Sequence, residues 1–325
     1  MPNPLGIAYD STVDGFLSFA KPTAVIVVNA NADAPEVQDA RRAGARVYRY
    51  RRPISILNTV GPLDVEWYMG DPSKVPLWGN GRTNNTYSKM TDLRVGSVWV
   101  DYMIDSLERL ILSDRFDGVF LDVLGCRPWG TNWTEWPEAE RAEWTAGALD
   151  FARRAHELRM ALNPFFDIVH NNIWQPDAKT PSIGGEQYAN GVCIEHKFAT
   201  SNGGPSFHAK YVGRQFAAGV TTRNLIIANS PADAANWAKV PGATHICAQA
   251  QYAKVEPSLV GYQDLRLPEL QAQVEYFKAK ATTQETRAKA LEQVVVDITE
   301  DRDAAQALVE KYNSKIENAI EILES

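Results

Sequence analysis

The chain has 325 residues, a net charge of -7, 45% hydrophobic and 10% aromatic residues. That length holds one large domain plus an extension, and the acidic balance argues against nucleic acid as a partner. No run approaches the ~18 apolar residues of a membrane span, so membrane insertion is not expected.

The N-terminus, MPNPLGIAYDS, lacks a basic stretch followed by an apolar one, so no signal peptide is expected. LGIAY (5–9) reads as a strand ending at Asp10, and AVIVVNA (24–30) as a β-branched strand. A helix over 34–43 stops at Gly44, and RVYRY (46–50) is the next strand. Around it lie Arg41, Arg42, Arg46, Arg49, Arg51 and Arg52. They read as a solvated helix end and strand flank before Pro53, the alternative being a surface for an anionic glycan or lipid. YSKMTDL (87–93) carries a short strand ending at Asp92. Residues 97–113 have helical spacing, with Val98, Met103, Leu107, Leu110 and Ile111 near one face.

FDGVFLDVL (116–124) is the most informative segment. An almost unbroken apolar run fits a strand buried on both faces of a parallel sheet, with Asp122 at its C-terminal end. A helix near 138–160 leads to DIVHNN (167–172), and GVCIEHKF (191–198) repeats the pattern with Glu195 at its end. NLIIANS (224–230) and THICAQA (244–250) complete nine candidate strands, most separated by helices. This alternation predicts an α/β fold, a (β/α)8 TIM-type barrel, over residues 1–262. A doubly wound open sheet is the alternative, and the missing Gly-rich loop after the first strand counts against it. One of the nine strands must lie outside the barrel.

From Pro268 onward there is no Gly and no further Pro. Leu267, Leu270, Val274, Phe277, Ala281, Gln284, Ala288, Leu291, Val295, Ile298, Arg302, Ala305, Val309, Tyr312, Ile316, Ala319 and Leu323 keep an unbroken alternation of three and four. This seven-residue repeat predicts that 263–325 form a long C-terminal helix in an oligomeric coiled coil. At ~1.5 Å per residue the helix would be roughly 85 Å long. Flanking Val294, Leu308, Ile320 and Ile322 widen the stripe and favour three or more strands over two, with a trimer the first expectation. A helical hairpin against the barrel is the alternative, but no Gly or Pro offers a turn.

Two carboxyl groups on two strand ends are what glycoside hydrolysis needs: one protonates the leaving oxygen, the other attacks the sugar or activates water. Asp122 and Glu195 are the candidate catalytic pair, with Asp10 and Asp92 as further strand-end acids; either of the pair could instead be structural. Trp129, Trp133 and Trp136 recur in the loop GCRPWGTNWTEWP (125–137), where they could stack on sugar rings or pack a core. Trp78, with Asn84, Asn85 and Tyr87, could extend that groove, and Asn171 could bind a sugar hydroxyl. His170 reads as a structural histidine, and His196 should face away from Glu195. No metal-ligand spacing or serine-nucleophile elbow is present, and no cofactor is expected. Cys126, Cys193 and Cys247 read as free, mostly buried thiols.

DGVFLD (117–122) resembles the strand-end motif of glycoside hydrolase family 114, the endo-α-1,4-polygalactosaminidases, and of related hypothetical glycosyl hydrolases. MTDLRVGSVWVDYMIDSL (90–107) resembles the segment that precedes it in that family. The resemblance covers about residues 5–255 and implies Asp122 and Glu195 as the catalytic pair, with Asp92 lining the site. Where the family continues D-N-x-D, this chain has Asp122-Val123-Leu124-Gly125. ITEDRDAAQALVEKYNSKI (298–316) resembles the coiled-coil tails of minor tail proteins from phages of actinobacteria. Together these imply a virion tail-tip or fibre protein, assembled in a host cytoplasm with other tail proteins, whose barrels engage a cell-surface polysaccharide. A module that binds glycan without cleaving it and an intracellular oligomeric glycosidase are the alternatives.

Overall fold

The computed structural model describes residues 2–8, 22–80, 82–85, 88–128, 133–195, 198, 200–201, 204–248, 275–276, 278–279 and 282. The chain divides into two units, Met1–Gln263 and Asp264–Ser325.

The first unit is a closed barrel of eight parallel strands. They are β1 (Asn3–Ala8), β2 (Val25–Val28), β3 (Arg46–Arg51), β4 (Gly118–Asp122), β5 (Asp167–Asn171), β6 (Gly191–Ile194), β7 (Leu225–Ala228) and β8 (His245–Ala248). Each pairs with its sequence neighbours, and β8 closes on β1. The segment around 87–93 is the candidate strand left out. Its Ser88–Met90 pairs antiparallel with Ser55–Leu57 and Thr83–Asn85 in a small separate sheet. That sheet belongs to the long excursion between β3 and β4.

Helices cover the outside: α1 (Pro35–Arg42), α2 (Val98–Leu112), α3 (Glu138–Leu162), α4 (Phe207–Ala217) and α5 (Pro231–Trp237). Their starts follow local chemistry. Ser97, Ser206 and Ser230 each accept a hydrogen bond from a first-turn N–H, and Pro opens α1 and α5. The buried stripe of α2 is Trp99, Val100, Met103, Leu107 and Ile111. Val98, expected on that stripe, is 61% exposed, because it sits in the first turn on the solvent side. Between β5 and β6 the chain crosses with only a 3-10 turn, Gly185–Tyr188. No helix of the described residues is long and apolar enough to cross a membrane.

Alternation along each strand sorts side chains into an inner and an outer set. Leu5, Ile7, Val25, Val27, Tyr48, Phe120, Val169, Cys193, Leu225, Ile227 and Cys247 fill the interior. Their outward neighbours pack against the helices, as Val119, Leu121 and Ile168 do with α2 and α3. All three cysteines are free and buried.

The N-terminal end of the barrel is closed by charge. Asp167 accepts hydrogen bonds from Arg46 Nε at 2.7 Å and Tyr48 Oη at 2.6 Å, and lies 2.8 Å from Arg223 Nε. Burial alone would raise the Asp167 pKa, but the two guanidiniums and the tyrosine hold it below the usual carboxylate value. Gly118 leaves room for this cluster, since a Cβ there would lie 2.6 Å from the Asp167 carbonyl oxygen and 2.8 Å from the Tyr48 ring.

The arginine-rich stretch therefore differs from its expected solvated state. Only Arg42 of the six keeps a largely exposed side chain, at 71%. Arg46, Arg49, Arg51 and Arg52 lie on a barrel strand or at its end, and each faces a carboxylate: Asp167, Asp64, Asp64 and Asp122. With those charges committed inside the fold, they offer no surface for an anionic glycan or lipid. The second unit's described residues, 275–276, 278–279 and 282, are helical, with Lys278 Nζ 2.9 Å from Glu275 Oε1. The rest of the seven-residue repeat, including its polar positions Gln284 and Arg302, lies outside the described residues.

Candidate active site

At the C-terminal end of the barrel the inner positions of β3, β4, β5 and β6 become polar. Register sets the level: Asp122 on β4 pairs with Asn171 on β5, and Arg51 on β3 pairs with Leu121. Arg52 therefore arrives at the height of Asp122. Glu195 follows β6 directly and keeps the inward parity of Cys193.

Asn171 joins the two acids. Its Nδ2 donates to Asp122 Oδ1 at 2.7 Å and to Glu195 Oε1 at 3.1 Å. Two bonds leaving one planar amide nitrogen at roughly 120° place the accepting oxygens about 5 Å apart. The other Asp122 oxygen, Oδ2, accepts from Arg52 Nη2 at 3.1 Å and from the Tyr50 hydroxyl. Asp122 is 6% exposed, whereas Glu195 is half-buried.

The supports are themselves fixed. Tyr50 stacks on Phe120 with centroids 6.0 Å apart. Burial, then the Asp122 carboxylate, push the Tyr50 hydroxyl well above its ordinary pKa, so it stays a donor. Burial would lower the Arg52 pKa, but Tyr50 and Asp122 outweigh it and the guanidinium stays charged. Trp67 Nε1 donates to the Arg52 carbonyl at 3.3 Å. Thr91 Oγ1 and Trp99 Nε1 hold the next carbonyl, of Pro53, at 2.8 and 2.9 Å. The excursion after β3 thus anchors the chain that carries Arg52. Directly after Asp122, Val123 adopts φ 60°, a left-handed conformation that a β-branched residue rarely takes.

Other sequence-predicted residues are placed elsewhere. Trp78 and Trp136 are 1% and 3% exposed. They stack on each other at 6.2 Å and both pack edge-on against Trp144 of α3. Arg82 and Arg94 cover Trp136 and Trp78 at 4.3 and 4.9 Å. Their faces are occupied, so they are core and not sugar platforms. Trp133 is half-buried, 5.1 Å from Trp136. Asp92 faces Arg94, with 3.6 Å between Oδ1 and Nε, and belongs with this cluster and not with the carboxylate pair. His170 points out of the barrel and accepts from Trp174 Nε1 at 3.1 Å. Burial lowers its pKa to about 3, so it is a neutral structural residue. Asp10, Trp129 and His196 lie outside the described residues.

Two residues of this site were missing from the sequence-based set, Tyr50 and Arg52. The signal was present in the alternation of RVYRYRR, where Arg46, Tyr48, Tyr50 and Arg52 share one parity.

No protein-family sequence model matches the chain, and no curated protein sequence matches it. Among solved structures, it is similar to the glycoside hydrolase domain of PelA from Pseudomonas aeruginosa. The identity is 13% and the TM-score 0.51, over 78% of this chain and 96% of that one. The E218A variant of the same domain gives the same values: 13% identity, TM-score 0.51, 78% and 96% coverage. At this identity the likeness is one of fold, a barrel of the TIM type.

Proposed function

We propose that the protein is a retaining glycoside hydrolase using Asp122 as nucleophile and Glu195 as acid and base. The observation that carries this reading is the Asn171 amide bonded to both carboxylates, inside a barrel folded like a glycoside hydrolase domain. An oxygen separation of about 5 Å fits the retaining class, at ~5–5.5 Å, and falls short of the ~6.5–9.5 Å of inverting enzymes. Role assignment follows from surroundings. Arg52, Tyr50 and Asn171 all donate to Asp122, which favours the carboxylate that attacks. Glu195, the more exposed acid, is better placed to exchange protons with a leaving group and with water.

In the first step an Asp122 oxygen bonds to the anomeric carbon as the glycosidic C–O bond breaks, and the Glu195 proton goes to the leaving oxygen. In the second, Glu195 takes a proton from water, whose oxygen bonds to the anomeric carbon and releases Asp122. The family 114 resemblance makes an α-1,4-linked galactosaminan the first substrate to try. The C-terminal heptads make a trimer through residues 267–323 the working assembly, and the tail-protein resemblance makes a virion tail tip carrying barrels to a host cell-wall polysaccharide its setting.

A binding module without hydrolysis is the second reading, favoured by Val123-Leu124-Gly125 standing where the family has polar residues. Reducing-end release separates the two. The full chain and Glu195→Gln are incubated with galactosaminan and actinobacterial cell-wall polysaccharides. Release by the first and a drop of at least 100-fold in the variant are expected. No release by either, with both still sedimenting with cell walls, overturns the enzyme reading.

A further inference from the structure

The strands that carry Asp122, Asn171 and Glu195 also lead into the walls of a cavity of about 380 Å³. Cys126 and Arg127 lie four and five residues beyond Asp122. Asn172 follows Asn171 directly, and Phe207 and His208 open α4, the helix after β6. The cavity thus lies on the same end of the barrel as the carboxylates.

Its walls are built and not incidental. Cys126 N–H donates to the Ile173 carbonyl at 3.0 Å, and Asn172 Nδ2 to the Arg127 carbonyl at 3.1 Å. Gly125 makes this approach possible, since a Cβ there would lie 2.5 Å from the Asn172 Cβ. Buried Gln175 is held at both ends, accepting from Arg214 at 2.7 Å and donating to the Thr180 carbonyl at 2.8 Å.

We propose that this cavity is a subsite for an uncharged pyranose ring, a hexose or N-acetylhexosamine, beside the ring being cleaved. The inference rests on the glycosidase reading for its place in the reaction and adds to it the neighbouring sugar. The volume suits a sugar ring, within the usual range for small-ligand pockets. Phe207 offers an aromatic face, and Ile173, Pro176 and Ala178 offer apolar contact to ring C–H groups. Asn172 and Arg127 bring donors for hydroxyls. Two features argue against a charged ring. Arg127 and Asp177 bring opposite charges to the same lining. The Asp177 oxygens already accept from Lys179 N–H, Thr180 N–H and Thr180 Oγ1 at 2.7, 2.8 and 2.9 Å, which leaves an amine one of the carboxylate's roughly four acceptor positions, on Oδ2.

The test is calorimetric titration of the full-length Glu195→Gln chain, alone and combined with Ala178→Trp. The probes are neutral, N-acetylated, free-amine and uronate oligosaccharides of two to six rings. Ala178 is exposed, so the indole plugs the cavity without entering the core. The expected result is binding of a neutral or N-acetylated chain, weakened about tenfold by Ala178→Trp at unchanged melting temperature. Arg127→Ala should weaken the same ligand. Equal affinity with and without the plug, no binding of any probe, or preference for a charged chain would overturn the subsite. Hydrolysis of polysaccharide that is indifferent to Ala178→Trp keeps the glycosidase and removes the subsite. Plug-sensitive binding without reducing-end release keeps the subsite and removes the glycosidase.

Discussion

At the residue scale, Asp122 shows how a site and a strained backbone share one turn. Val123 at φ 60° follows it immediately, and a β-branched side chain in that region costs on the order of 1 kcal/mol. The family that the segment resembles carries Asn at this place, and Asn tolerates the left-handed region far better. Val123→Asn should therefore raise the melting temperature by about 2–4 °C for a domain of this size. A fall instead would mean that the contacts of Val123 with the tryptophan-rich core outweigh the backbone gain. The acids were legible in the sequence because each ends an apolar run. Tyr50 and Arg52 were not, because an arginine on a strand reads as solvent-facing until its partner is known. Their partner, Asp122, lies some 70 residues away. The sequence left the tryptophans between sugar stacking and core packing for the same reason: spacing does not distinguish a rim from a core, and Trp78 finds its cover in Trp136 and Trp144.

At the scale of elements, the barrel strands were legible and the small sheet only in part. The barrel strands buried on two sides read as apolar runs, as Val25–Val28, Gly191–Ile194 and Leu225–Ala228 do, and β3 and β5 were legible by the alternation of their polar and apolar residues. Ser55–Leu57 and Thr83–Asn85 are short and partly polar, with no run to mark them. Strand β5 illustrates how alternation also sets pH behaviour. Asp167 and Asn171 face inward, while His170 faces outward into the packing around Trp174. Burial holds His170 neutral with a pKa of about 3, and His245 on β8 likewise at about 3, helped by nearby Arg223. In the unfolded chain each would titrate near ~6.5. As pH falls below that value the unfolded chain takes up protons that the fold excludes, so stability falls on acidification. Each of the two contributes a slope that starts near half of ~1.4 kcal/mol per pH unit at pH 6.5 and approaches that full value towards pH 5. Between pH 5 and 6.5, above the carboxylate range, urea unfolding should show both, with a further share from His156, whose pKa burial and then Arg159 also lower, and His170→Gln should remove up to one proton equivalent from the total. An unchanged slope would mean that His170 protonates equally in both states.

At the scale of the whole molecule, the chain divides into two units at Gln263, close to where apolar runs with Gly and Pro give way to a stretch with neither. The trimer proposed for the second makes a prediction of its own. Arg302 occupies a seam position of the seven-residue repeat, where a charge sets register at a cost in stability. Arg302→Ile should raise the melting temperature of the oligomer and can alter its order. No change in calorimetry or light scattering would remove Arg302 from the seam. The first unit carries a different kind of constraint. Its buried cluster takes Arg46 from β3, Asp167 from β5 and Arg223 from the turn before β7. Cut the chain between β4 and β5, and one fragment keeps the Arg46 guanidinium without Asp167, its strongest anionic partner, and with only the weaker field of Asp117, while the other keeps Asp167 with one cation instead of two. Each half is electrically unfinished, so the barrel is not a pair of self-sufficient half-barrels set side by side. Fragments made at that point should be soluble as folded protein only when mixed, because the charge that completes each is carried by the other.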